Sequence, residues 1–463
     1  MTDFAKSYNQ PLQQMHLPGL SIDRPREARG KDASFSDPAF FGNKTQPIHR
    51  WVPWIAGFSG EFVRQSIDRY LPEPGLVLDP FCGVGTTLVE SLLAGHNTAG
   101  FEINPYAALA SRVKANARHY DPQTLRYQIS RFEGYFEKHI NSDYEPFSSP
   151  PAGFRTRAPF YSPIVLRKVL ILQDFIETIE DVKLHELFRL VFASTMVRYS
   201  NYSYEPSLGR RVSAGKPEIT DFPVDEEVVG KLFEVEADIY WLLEHTGQLA
   251  AEPTAAVINK SFFEYVKHLE PANVDLVVTS PPYLNNYHYN RNTRPQLYWL
   301  GYASKPGDLK PLEHANFGKY WQTVRDKPLV ELDFSLPDSD LSEKLQTLRG
   351  TRPDKGIYGG NGWANYAASY FNDCLRFAQG ILYTLKAGGT ALIVIGNSIL
   401  QGIEFPTDQY FGQIAEFTGL EVVDIHIPRE ARVGNSIIQS DVRGEKAKDS
   451  HQLYEAVVEI RKK

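Results

Sequence analysis

Two apolar patterns alternate along this chain. Short continuous runs, "GLVLDPF", "NTAGFEIN", "AAVINKSFF", "NVDLVVTSPPY", "TALIVIGNS", "GLEVVDIHIP" and "AVVEIRK", read as buried strands. Between them lie stretches whose apolar residues recur three and four apart, which read as helices. "FSGEFVRQSIDRYL" has that spacing, with Ser59 placed to cap it. "GVGTTLVESLLAGH" opens on glycines and becomes a helix. "PYAALASRVKANARHY" starts with Pro105, which suits a helix's first turn because an N–H there has no partner to lose. About seven strands alternating with helices predict an α/β fold built on an open, doubly wound, mostly parallel Rossmann-like sheet.

The pattern is interrupted twice. Residues 121–254 are mainly helical, with "SPIVLRKVLILQDFIETI" and "LHELFRLVFASTMVRYS" followed by the loop "NYSYEPSLGRRVSAGKPEITDFP". They read as an insertion between two parts of one core, 46–120 and 255–463. Residues 301–360 are polar and irregular, long for a connection in a compact domain unless it has a function. A helix over 364–386 and a turn at "KAGG" follow. Residues 1–45, broken by Pro and Gly, read as an N-terminal arm.

Composition narrows the setting. The 463 residues carry a net charge of −7, so any polyanion would have to meet a local basic patch rather than a basic surface. The two cysteines, Cys82 and Cys374, lie far apart without metal-ligand spacing, which predicts neither a disulfide framework nor a metal site and fits a reducing cytoplasm. No signal peptide is visible and no apolar run reaches membrane-spanning length, so a cytoplasmic protein without a membrane partner is expected.

Two motifs carry chemistry. In "LVLDPFCGVGTTLVE" a strand enters a turn containing Gly83 and Gly85 and leaves as a helix, whose free N–H groups and close backbone approach suit a ligand. Glu102 ends the next strand, at the spacing of a carboxylate that binds a ribose diol. A dinucleotide fingerprint needs a further glycine where this chain has Leu88, preceded by Thr86 and Thr87. S-adenosylmethionine (SAM) is therefore the expected cofactor. The second motif, "TSPPY", sets Ser280, Pro281, Pro282 and Tyr283 at the carboxyl end of a strand, where open α/β sheets bind ligands. An exocyclic amine on a base is a poor nucleophile because its lone pair is delocalised. The Ser280 hydroxyl and a Pro281 carbonyl held rigid by Pro–Pro geometry could accept its hydrogens, while Tyr283 stacks on the flipped base.

Together "DPFCGVGTT" and "TSPPY" resemble the amino-methylating DNA methyltransferases, which act on the amine of cytosine or adenine. "PIHRWVPWIAGFS", "LKAGG" and "VIGNS" are similar to the same family. The resemblance implies a seven-stranded SAM-methyltransferase sheet with an antiparallel final hairpin. It implies that Asp79, Pro80, Phe81, Gly83, Gly85, Thr86 and Thr87 line the cofactor, that Glu102 holds its ribose, and that Asn104 sits near the adenine. Residues 48–58 would lie against the methionine end. Serine opening the S-P-P-Y motif goes mainly with N4-cytosine methylation, aspartate or asparagine mainly with adenine. The glycine motif precedes S-P-P-Y here, the reverse of many cytosine-amine enzymes. Methylation at cytosine carbon-5 is excluded because no cysteine nucleophile stands in the motif.

Arginine and aromatic residues cluster near these motifs: Arg291 and Arg294 with Tyr287, and Arg210 and Arg211 on the exit loop of the insertion. Such mixing suits phosphate contact and base stacking, so double-stranded DNA is the expected partner, with 121–254 and 301–360 as candidate recognition regions. A cognate restriction endonuclease or defence subunit is a further expected partner by family analogy. Methylation of RNA or a protein amide, or a silent DNA-binding subunit, remain alternatives. Asn397 and Ser398 could contact substrate or cap a turn.

Overall fold

The computed structural model describes residues 35, 40–54, 57–204, 208–246, 252–284, 289–432 and 452–463. Most of the N-terminal arm, and Tyr287, lie outside the described residues.

The strands are β1 (Leu76–Asp79), β2 (Asn97–Phe101), β3 (Ala255–Ile258), β4 (Val274–Thr279), β5 (Leu385–Gly396), β6 (Glu421–Arg432) and β7 (Gln452–Arg461). They form one seven-stranded sheet in the order β6-β7-β5-β4-β1-β2-β3. β3, β2, β1, β4 and β5 run parallel, and β7 is antiparallel to both neighbours. The apolar runs become central strands because both faces are covered: Val77, Leu78, Leu276, Val277 and Val278 are all fully buried. From β1 the chain moves outward to β2, while β4 lies on the other side and leads on to β5. The carboxyl ends of β1 and β4 therefore flank a switch point in strand order, where open α/β sheets leave a crevice.

Helix α1 (Gly60–Tyr70) is capped by Ser59, as expected. Helices α2 (Thr86–Leu93) and α3 (Pro105–Ala115) follow β1 and β2, with Pro105 at the first turn of α3. Between α3 and β3 the chain forms α4 (Pro122–Ile140), α5 (Pro163–Ile176), α6 (Val182–Thr195) and α7 (Val224–Thr246). Their apolar faces meet around Leu125, Phe132, Phe175, Phe188, Phe192 and Ile239, in a core continuous with Ala107 and Ala110 of α3.

Three stretches differ from the sequence expectation. The exit loop of the insertion contains a ribbon, with Tyr202–Tyr204 antiparallel to Leu208–Arg210. The irregular stretch 301–360 contains α8 (Leu341–Gly350), whose Leu341, Leu345 and Leu348 repeat at helical spacing and are buried on α9 (Gly360–Thr384). The "KAGG" turn is instead the start of β5: Gly388 takes a positive φ of 77° and donates its N–H to Lys462 at 2.8 Å, so pairing with the chain end extends the strand. A second ribbon, Ser398–Leu400 with Ile403–Phe405, leads from β5 into α10 (Thr407–Phe417). Among the described residues no helix is long and apolar enough to cross a membrane, and no cluster of His, Cys, Asp and Glu could hold a metal ion.

Gly100 of β2 lets α2 approach the sheet: a Cβ there would lie 2.8 Å from both the Cys82 Cβ and a Leu88 methyl. Gly100→Val should overpack this junction and cost about 1–3 kcal/mol. The readout is a lower urea midpoint at unchanged m-value, and an unshifted midpoint would contradict the packing argument.

Candidate active site

The turn after β1 is shaped by two glycines with positive φ, Gly83 at 51° and Gly85 at 84°. The Cys82 N–H donates to Phe101 O at 2.9 Å and the Gly85 N–H to Cys82 O at 2.7 Å, fixing the turn to the end of β2. Gly85 is needed twice over, because a Cβ there would also lie 3.1 Å from the Ser111 Cα of α3. The Ser111 hydroxyl donates to Gly83 O at 2.8 Å. Thr86 and Thr87 are buried at the start of α2; Thr87 donates to Val278 O of β4 at 3.2 Å, so its hydroxyl ties α2 to β4. Pro80 is buried, and Phe81 packs edge-on against Phe317 and Phe377 at centroid distances of 5.2 and 5.1 Å.

Asp79 is fully buried at the end of β1. Its Oδ1 accepts from the Thr279 hydroxyl at 2.6 Å and from the Phe81 N–H at 3.0 Å, while Oδ2 has no hydrogen-bond partner among the described residues. Burial pushes its carboxyl up to about 6, against the pull of those hydrogen bonds. Glu102, partly exposed at the end of β2, accepts the Asn104 N–H at 2.7 Å. Desolvation raises it to about 7, with backbone N–H groups of Asn104 and Gly83 opposing and the charge of Asp79 adding to the rise. The Asn104 side chain is committed locally: Oδ1 caps α3 through the Tyr106 N–H at 3.1 Å and Nδ2 donates to Thr293 at 2.8 Å.

The S-P-P-Y segment leaves β4 directly beside this turn, because Thr279, the last residue of β4, is the donor to Asp79. Ser280 is partly exposed and Pro281 buried. The Pro282 carbonyl accepts from the Tyr370 hydroxyl of α9 at 3.2 Å, and the Tyr283 hydroxyl donates to Glu455 of β7 at 3.1 Å. The Tyr283 ring lies against Gly396, where a Cβ would come within 3.1 Å of it. Tyr370, Glu455 and Gly396 thus brace the segment, and sequence reasoning missed all three; the one local signal for any of them is the glycine within "VIGNS". Asn397 does not point freely into the crevice: it donates to Glu404 at 2.8 Å and accepts from the Tyr454 N–H at 2.9 Å.

The insertion reaches the same place. The Tyr204 hydroxyl donates to Asn292 O at 2.9 Å and the Leu208 N–H to Asn292 Oδ1 at 3.2 Å, so the ribbon carrying Arg210 docks next to Arg291. Arg291 is exposed. Arg210 lies 3.7 Å from Glu218, and Arg211 donates to Pro217 O at 3.0 Å. Arg294 sits over the rings of Phe154 and Tyr298 at 5.8 and 5.5 Å, a packing position.

A seven-stranded, mainly parallel sheet with its last strand inserted antiparallel, and a glycine turn beside a Pro-Pro motif at its switch point, define a methyltransferase-type Rossmann-like protein. The family model described as DNA methylase matches residues 41–112. The Type II methyltransferase M.BsoBI of Geobacillus stearothermophilus is 24% identical over 86% of this chain and 83% of its own length. M.AvaI of a Nostoc species is 24% identical over 88% of this chain and 86% of its own, and M.MvaI of Kocuria varians 27% identical over 56% and 58%. The chain is thus similar to DNA methylases over the glycine-turn region and to Type II methyltransferases over most of its length.

Asp79 and Glu102 bind their protons more tightly in the folded chain than unfolded. The native state therefore carries more protons between about pH 4.5 and 7, and their contribution to stability falls as pH rises through that window. Glu102→Gln removes one of these groups. Its stability relative to wild type should rise with pH in urea titrations across the window, and parallel profiles would contradict the assignment.

Proposed function

We propose that the protein is a SAM-dependent DNA methyltransferase acting on the exocyclic amine of a flipped base, with N4 of cytosine as the leading target and N6 of adenine as the second reading. The observation that carries this is the hydrogen bond from Thr279 to Asp79, which makes the glycine turn and S-P-P-Y two walls of one crevice. The match to the DNA methylase family model over residues 41–112, which hold the glycine turn, and the similarity to enzymes named Type II methyltransferases support it.

The residues present fit SAM. Two carboxylates, one with an oxygen that lacks a partner among the described residues, suit a cationic ligand with hydroxyl donors. Glu102 would hold the ribose hydroxyls, and Asp79, Phe81, Gly83 and Gly85 would line the remainder. When bound, SAM supplies an electrophilic methyl on a sulfonium. The chain's part is to position and polarise the amine. Ser280 and the Pro281 carbonyl accept its two hydrogens, favouring a tetrahedral nitrogen with an available lone pair. The Pro282 carbonyl is occupied by Tyr370, which stiffens the segment that presents Pro281. Tyr283, braced by Glu455 and Gly396, offers its ring to the base. The amine proton leaves to water or to Ser280. Most acceleration comes from alignment rather than covalent catalysis.

Duplex DNA is the proposed substrate, contacted by Arg291, by Arg210 at the end of the ribbon that docks beside it, and by Arg211 just after the ribbon. A cognate endonuclease is the proposed partner.

The test is mass spectrometry of nucleosides from unmethylated DNA incubated with the protein and SAM. N4-methylcytosine is expected. N6-methyladenine would keep the mechanism and overturn the base assignment, and no modified base would overturn the reading. Tyr283→Ala should slow methylation about tenfold to a hundredfold, the worth of one stacked base, with SAM affinity retained. Ser280→Ala should slow it at least as much.

A further inference from the structure

The segment that precedes the glycine turn is held by an unusual arrangement. Ile48 has φ 65° and ψ −46°, and the His49 N–H donates to Pro47 O at 2.7 Å. This is a three-residue turn with positive φ, centred on a β-branched residue that rarely adopts it. Such a conformation persists only where its surroundings over-determine it.

The surroundings are supplied by the helical insertion. Asp238 of α7 is 1% exposed, and its carboxylate accepts from the Ile48 N–H at 2.8 Å, the Arg50 Nε at 3.1 Å, the Arg50 Nη2 at 2.5 Å and the Trp51 indole N–H at 2.8 Å. One turn of chain thus spends four donors on one buried acceptor nearly two hundred residues away. Lys231, two turns earlier on α7, donates to Arg50 O at 2.7 Å. On the core side His49 pairs with Glu90 of α2 at 2.7 Å, and Lys114 of α3 donates to His49 O at 3.2 Å. Three residues further along, the Trp54 indole nitrogen lies 3.5 Å from where a Cβ on Gly83 would stand. The clamped turn therefore fixes the side chain that closes the outside of the glycine turn.

We propose that Asp238 is a positioning residue for the cofactor crevice: through the strained Ile48 turn, the insertion holds Trp54 against Gly83 and sets the shape in which cofactor binds. The insertion, whose described residues share no strand with the sheet, thereby becomes part of the cofactor site. This rests on the SAM reading above.

The experiment is calorimetric titration of SAM into wild type, Asp238→Asn and Ile48→Gly/Asp238→Asn, each below its melting transition and with thermal melts alongside. Asp238→Asn puts an amide N–H₂ where donors point, and should weaken SAM binding about tenfold to a hundredfold in protein that still melts cooperatively. Glycine accepts φ 65° without strain, so the second substitution should recover part of that affinity. A purely architectural Asp238 would lower the melting temperature and leave the Kd unchanged in folded protein, which overturns the proposal, as does a double variant as weak as the single. If Asp238→Asn does not fold, Arg50→Lys/Trp51→Phe, which strips donors from the same carboxylate, carries the test: weakened SAM binding supports the proposal and a wild-type Kd overturns it. A wild type that binds no SAM would remove the cofactor reading and this inference with it, whereas equal binding by wild type and variants removes the inference alone.

Discussion

One buried hydrogen bond organises the crevice. Thr279 donates to Asp79 at 2.6 Å, where two parallel strands end side by side. Both side chains are fully buried, so neither can fall back on water. Asp79 is thereby turned toward β4, Thr279 fixes the point at which Ser280 leaves the sheet, and Thr87 adds a second tie from α2 to Val278. Proline is tolerated at this edge because the strand has already ended and no further N–H is needed for the ladder.

Around that bond the chain is built from distant pieces that meet at the same edge. Strands β5 and β7 brace Tyr283 through Gly396 and Glu455, and α9 braces Pro282 through Tyr370. Asn104 joins the end of β2 to Thr293, and Asn292 joins the same segment to the ribbon of the insertion. The result is that contacts tie the glycine turn to S-P-P-Y on one side, and the end of β2, through Asn104, to the segment on which the basic ribbon docks on the other. It explains how a chain of net charge −7 can still gather arginines beside these motifs.

The central strands were legible because burial on both faces demands continuous apolar runs, and the edge strands β3 and β6 carry apolar runs too although they are partly exposed. The cap at Ser59 and the proline start of α3 were legible because each solves a local hydrogen-bond problem. Helix α8 was obscured by the polar stretch around it, although Leu341, Leu345 and Leu348 carry its spacing. The strand character of "KAGG" was not legible, since it depends on Lys462 at the far end of the chain. In the crevice, residue types betrayed Asp79, Gly85, Glu102 and the Pro-Pro segment as chemically notable. The supports could not be read: Tyr370, Glu455 and Asp238 matter through tertiary contacts that no local pattern encodes. Asn104 and Arg294 had the right types for ligand contact, yet their side chains are engaged in capping and aromatic packing.

The central claim is that the glycine turn and S-P-P-Y bound a single cofactor-and-substrate crevice. A crystal structure of the protein soaked with SAM tests it most directly. The account predicts the ribose hydroxyls on Glu102 and the sulfonium methyl facing Ser280 and the Pro281 carbonyl. SAM bound with its methyl turned away from Ser280, or seated elsewhere on the protein, would contradict it.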